Sequence, residues 1–164
     1  MKMWQNDKRW SDKFLPEIKS LIGLHIISEP PIEEDAERNT DLIVLDMQPV
    51  RIACRIRRFS YYENQQYRNE ITIRAGRPSG VKTELRKIIE GWGDYLFYGF
   101  TNKDETGLQQ WVIIDFKEVR GWMFDHIYNN TAPWKFQNNK DDSSSFLVLD
   151  VRNIPSKAIF AKSY

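Results

Sequence analysis

Two segments of this chain are apolar on both of their alternating faces, and they restrict the fold more than any other feature. Asp94 to Phe100 reads DYLFYGF and Trp111 to Phe116 reads WVIIDF. Successive side chains of a strand point to opposite sides of its sheet, so such runs are satisfied only where both sides are covered. They therefore read as central strands of a layered sheet. Asp41 to Met47 (DLIVLDM) and Phe146 to Val151 (FLVLDV) are further apolar runs of strand length. Val50 to Arg58 (VRIACRIRR) alternates, with Val50, Ile52, Cys54 and Ile56 on one face and Arg51, Ala53, Arg55 and Arg57 on the other. Its apolar face, Cys54 included, is expected to meet the core. Glu70 to Arg74 (EITIR) alternates too, with Ile71 and Ile73 opposite Glu70, Thr72 and Arg74.

Helical spacing connects these strands. Trp10, Phe14, Ile18, Leu21 and Ile22 predict a helix over 10–22, with Ser11 as a cap and Gly23 as a stop. Pro16 inside that span is compatible only with a later helix start. Val81, Leu85, Ile88, Ile89 and Trp92 predict a second helix over 80–90, capped by Ser79 and ended by Gly91 and Gly93. A short helix is expected near Glu118 to Ile127, an extended hairpin loop over 59–69 and a loop over 129–145. Strand, helix, strand order requires a crossover. The expected fold is one α/β domain over residues 1–164, a central mixed β-sheet flanked by helices. Its core spans about 12–116, with extra C-terminal strands over 117–164.

Length and composition agree with a folded domain. The 164 residues and 41% apolar content suit a single core. No run reaches the roughly 18–20 apolar residues of a membrane helix. The first residues, MKMWQNDKRWSDKF, lack the apolar stretch of a signal peptide, so a cytoplasmic location is expected. A single cysteine excludes a disulfide framework, and with only His25 and His126 beside it no zinc-ligand spacing exists. The net charge of +1 gives no global attraction to nucleic acid, so any such attraction must be local. Gly76-Arg77-Pro78-Ser79-Gly80 lacks the closing Gly-Lys-Ser/Thr of a P-loop, and no Gly-x-Ser-x-Gly occurs.

Two local patterns carry chemistry. Glu17 on the first helix, Asp41 at a strand start and Glu70 at another are hard oxygen donors on separate elements, as a Mg2+ or Mn2+ site requires. The plainer reading makes them solvated element ends. The second pattern is cationic: Arg51, Arg55, Arg57 and Arg58 fall within eight residues, followed by Arg68, Arg74 and Arg77. Guanidinium forks hold phosphates bidentately. Tyr61, Tyr62 and Tyr67 offer rings on which bases stack. Pairing of the two alternating strands would set Arg55 and Arg57 on one face with Glu70 and Arg74. The plainer reading there is a cross-strand ladder of ion pairs. Glu84 and Lys87 flank the stripe of the second helix and are candidates to point toward a site near Asp94, the plainer reading being solvated helix positions.

The order helix, strands with Asp41 at a strand start, arginine-rich strand, helix, strand resembles the restriction-endonuclease-like (PD-(D/E)XK) superfamily. Arg38-Asn39-Thr40-Asp41-Leu42-Ile43-Val44-Leu45, followed by Val50 to Arg57, is similar to that superfamily's Asp hairpin. The resemblance implies an αβββαβ core and metal-dependent phosphodiester cleavage. Asp41 would be the metal aspartate and Glu17 the helix glutamate. Where the superfamily carries an acid-x-Lys pair, this chain has Arg55-Ile56-Arg57. Arg57 would stand in for the lysine as a charge, and Glu70 would supply the missing acid.

The expected function is thus a metal-dependent nuclease-like protein. Asp41, Glu17 and Glu70 would hold Mg2+ or Mn2+, with Arg57 beside them. Arg51, Arg55, Arg74, Arg77, Lys87 and Tyr62 would hold nucleic acid, DNA in preference to RNA. The alternative is a non-catalytic accessory protein of the same fold, of phage type, binding nucleic acid, a protein partner or a second copy of itself.

Overall fold

The computed structural model describes residues 3–23, 27–28, 43–44, 50–141 and 143–164. The chain divides into two compact units, Met1–Pro49 and Val50–Tyr164.

The first unit holds helices α1 (Met3–Asp12) and α2 (Leu15–Gly23) and the short strands β1 (Ile27–Ser28) and β2 (Ile43–Val44). The single helix expected over 10–22 is two helices. A proline within a helix removes a donor and collides with the carbonyl four residues earlier, here that of Asp12. The chain accordingly breaks after Asp12 and restarts at Leu15, with Pro16 in the tolerated first turn. Trp10 meets Phe14 edge to face at 5.4 Å, and Phe14 and Ile18 are buried. Strands β1 and β2 pair antiparallel, Ile27 opposite Val44.

The second unit carries two sheets rather than the one central sheet expected. Strands β3 (Ile52–Arg57), β5 (Tyr95–Thr101), β6 (Leu108–Asp115) and β9 (Ile159–Lys162) form a mixed sheet in the order β3-β5-β6-β9. Strand β3 runs parallel to β5, and the remaining pairs are antiparallel. Strands β4 (Glu70–Gly76), β7 (Lys135–Asn138) and β8 (Ser145–Asp150) form an antiparallel sheet in the order β4-β8-β7. The hairpin expected between the arginine strand and Glu70–Arg74 does not form, because β3 and β4 belong to different sheets. Residues Phe59–Glu63, expected as hairpin loop, form a short helix, α3, on the way from one sheet to the other. Of the residues likened to an Asp hairpin, 38–42 and 45 lie outside the described residues.

The core lies between the sheets. Leu96, Tyr98, Phe100, Val112 and Ile114 of the mixed sheet meet Ile71, Ile73, Leu147 and Leu149 of the other. Helix α5 (Phe116–Tyr128) adds Phe116, Val119 and Met123, and Asp115 caps its start by accepting from the Lys117 and Glu118 amides. Both runs that were apolar on each face are central strands, as expected. The far face of the mixed sheet is also apolar: Phe97 and Ile113 are buried there, and Phe97 stacks on Trp111 at 5.7 Å. The helix expected over 80–90 is shorter, α4 (Glu84–Ile89). Thr83, not Ser79, caps it by accepting from the Arg86 amide, and Gly91 and Gly93 end it at φ of 86° and 82°. Val81, Ile89 and Trp92, assigned to its apolar stripe, are exposed. No helix among the described residues is long and apolar enough to cross a membrane.

Leu147 is fully buried at the centre of this core. Leu147→Ala is expected to destabilise the protein by about 2–5 kcal/mol. The check is the urea midpoint, which should fall with an unchanged slope.

Candidate functional site

Residues opposite one another in a parallel pair share a sheet face. Arg55 lies opposite Tyr98, and Arg57 opposite Phe100. The arginine face of β3 is therefore the face turned toward the second sheet. Cys54, expected in the core, is exposed on the other face. The alternation within β3 was legible: Ile56 is buried on its apolar face as expected, whereas Cys54 is exposed there and the arginines take the side turned toward the second sheet.

A guanidinium cannot be sunk among Tyr98, Phe100 and Leu147 without a partner. Since β3 is an edge strand among the described residues, its arginines extend past the sheet edge to the rim of the second sheet. Arg57 Nη1 donates to Thr72 Oγ1 at 3.2 Å, and Thr72 Oγ1 lies 3.2 Å from the buried Tyr98 hydroxyl. This chain of hydrogen bonds joins the two sheets. Arg57 also lies over the Tyr61 ring at 3.7 Å, and Tyr61 is 40% exposed. Helix α3 supplies that ring.

Arg55 Nη1 donates to Glu84 Oε2 at 2.5 Å, and the same oxygen accepts from the Arg74 backbone amide at 3.0 Å. The Arg55 and Arg74 guanidiniums both pack against Phe146, at 5.8 and 5.6 Å from the ring centre. Glu84 is held there by the cap on α4, because Thr83 Oγ1 donates to the Ala75 carbonyl next to Arg74. The rim thus gathers Arg55, Arg57 and Arg74 with one carboxylate. Among the described residues Glu84 is the only carboxylate paired with any of the three. Arg74 Nε is buried without a hydrogen-bond partner.

Sequence spacing thus anticipated three members of the cluster, although across a gap between sheets rather than along one sheet. It placed Glu84 on a flank of the second helix and did not identify it as the arginines' partner. Tyr62, expected as a base-stacking residue, is half-buried and packs on Phe100 at 6.0 Å, with Arg68 over its other side at 4.6 Å. Tyr61 is the tyrosine beside the cluster. Arg51 lies apart, over Trp92 at 6.0 Å, and its amide donates to Asp94 Oδ2 at 2.7 Å. Arg77 and Lys87 are exposed, the first on the turn after β4 and the second on α4. His126, read as hydrogen-bonded rather than catalytic, has Nδ1 2.7 Å from Thr131 Oγ1.

Of the three carboxylates expected to share a metal, Glu17 belongs to the first unit and Glu70 to the second. Asp41 lies outside the described residues. Glu70 Oε1 accepts from the Lys135 ammonium at 3.0 Å and the side chain is largely buried, so a cation there would have to share the carboxylate with that ammonium. No group of three or more His, Cys, Asp or Glu residues gathers for a metal among the described residues. A cavity beside Glu70, lined also by Tyr98, Gln110 and Tyr164, measures about 10 Å³. It has room for one water and not for a nucleotide.

Comparison with protein-family models, curated proteins and solved structures finds no match in any of the three. The fold and site therefore define a class by physics alone: an α/β protein whose two sheets present an arginine and tyrosine rim.

Burial pushes the Cys54 thiol above its ordinary range even though the residue is exposed, since desolvation disfavours the thiolate. The thiolate is the reacting form. Cys54 should therefore react with a disulfide reagent at neutral pH more slowly than free cysteine. Its rate should rise to a midpoint above that of the free thiol, measured as a pH profile.

Proposed function

We propose that this protein binds single-stranded nucleic acid through the rim of Arg55, Arg57, Arg74 and Tyr61, without cleaving it. The observation that carries this reading is the charge imbalance: of three guanidiniums gathered from two sheets, only that of Arg55 is paired with a carboxylate among the described residues. A buried donor left without a partner, such as Arg74 Nε, costs about 1–3 kcal/mol. A phosphate oxygen would recover that cost once the Arg74 side chain turns outward, since Nε itself is closed to solvent here. The stacked pair of Arg57 and the exposed Tyr61 presents flat surfaces of the kind on which unpaired bases stack. A duplex keeps its bases within its own stack, so the ring favours single strands.

Binding fits the residues better than hydrolysis. Arg57 holds its charge at any accessible pH and takes no proton from water. Glu70, the acid required for the cleaving arrangement, is committed to Lys135. Metal-dependent cleavage through Glu17, Asp41 and Glu70 is the competing reading, and the same assay decides between them.

The assay is anisotropy of labelled single-stranded DNA, single-stranded RNA and duplex DNA, with and without Mg2+ or Mn2+. Single strands should bind more tightly than duplex. For about three phosphate contacts, log K should fall with log salt at a slope near −2. Arg57→Ala combined with Arg74→Ala should weaken binding at least tenfold at low salt and flatten the slope by about 1.4, from two lost contacts. Absence of binding at low ionic strength, or full binding by the double variant, overturns the reading. Strand cleavage that needs the metal and Asp41 replaces it with the nuclease.

A further inference from the structure

Glu84 occupies the place that an anionic ligand would take. Its carboxylate spans the Arg55 guanidinium and the Arg74 amide, on the side of the cluster where both guanidiniums pack against Phe146. The position is fixed from below. Thr83 caps α4 and bonds the Ala75 carbonyl, and Ile88 of the same helix is buried in the core. It is open from above: the Glu84 side chain is 48% exposed, whereas that of Arg55 is 20% exposed. The helix is six residues long, between glycines at positive φ, Gly80 before it and Gly91 after it.

We propose that Glu84 is a built-in competitor for the phosphate, neutralising Arg55 until a nucleic-acid strand displaces it. This inference rests on the reading of the rim as a nucleic-acid site, and names how that site is regulated. A carboxylate and a phosphate both accept from a guanidinium fork, so one replaces the other without rebuilding the site. The exchange has a thermodynamic signature. The cations released on binding are those condensed on the strand, so Arg55 contributes about 0.7 to the slope on reaching a phosphate whether or not Glu84 held it first. The contest with Glu84 therefore shows in affinity and not in the salt slope.

The test uses the full chain and a labelled single-stranded DNA oligonucleotide. Glu84→Gln keeps an oxygen to accept from the Arg74 amide and removes the charge. It should bind about tenfold more tightly than wild type at low salt, with the salt slope unchanged. Adding Arg55→Ala to Glu84→Gln should abolish the gain. Should the Gln variant fail to fold by circular dichroism, Glu84→Ser is measured against the same expectations. Equal or weaker binding by the Glu84 variant, with wild type binding normally, overturns the competitor role and leaves the nucleic-acid reading standing. Loss of binding in both proteins overturns the two together. A gain that persists in the double variant shows that Arg55 is not the contested group and also overturns the proposal.

Discussion

Parallel pairing of β3 with β5 is the constraint from which the rest of the second unit follows. It fixes Arg55 beside Tyr98 and Arg57 beside Phe100, on the face that packs against another sheet. Charged groups there must either be paired or reach water. The edge position of β3 among the described residues allows the second course. The arginine stems pass over the sheet rim, and the guanidiniums settle on whatever the second sheet and its neighbouring helices offer: Thr72, Phe146, Tyr61 and Glu84. Had β3 been central, the same residues would have been buried charges. Had it paired antiparallel with β4, no second sheet would face them.

The hydrogen bonds between Arg57, Thr72 and Tyr98 show how packing and site depend on each other. Tyr98 is nearly fully buried, so its hydroxyl requires a polar partner, and the Thr72 hydroxyl and amide lie 3.2 and 3.4 Å from it. Thr72 in turn accepts from Arg57. One polar contact within an apolar interface therefore sets the approach of the two sheets and the direction of a guanidinium. A cluster held this way is oriented before any ligand arrives, which lowers the ordering cost of binding.

Local signals in the sequence were reliable where one element alone determined the outcome. The apolar character of both faces of Asp94–Phe100 and Trp111–Phe116 marked central strands. The position of Pro16 signalled the start of α2 at Leu15, although not the separate helix α1 that precedes it. Alternation in Val50–Arg58 separated the arginines from Cys54 and Ile56. Partner choice was not legible, because hydrogen bonding between strands is indifferent to side-chain identity and β3 could equally have joined β4. Nor was the inner face of β3. The mixed sheet is apolar on both sides, with Phe97 and Ile113 on one and Tyr98 and Phe100 on the other, so the pattern of β3 matched either. Glu84 was noted only as a flank of the helix expected over 80–90, where it reads as a solvated position, and only the return of α4 over β4 sets it against Arg55.

Charges that point inward from an edge strand also have a purely structural use, since they prevent the edge from pairing with another molecule. The arginines of β3 serve that purpose irrespective of any ligand, and it accounts for placing positive charge there. It does not account for Arg74, which lies on the other sheet, or for Tyr61, which holds a ring against a guanidinium that needs no covering. Edge protection is also complete with lysine, which keeps its charge in water without a flat partner. The cluster instead uses planar cations against aromatic rings and neutralises one of its three members. That arrangement costs solvation at Arg74 Nε and gives nothing back within the described structure. Edge protection alone leaves that unpartnered donor unexplained, and this is the feature on which the proposed anion site rests.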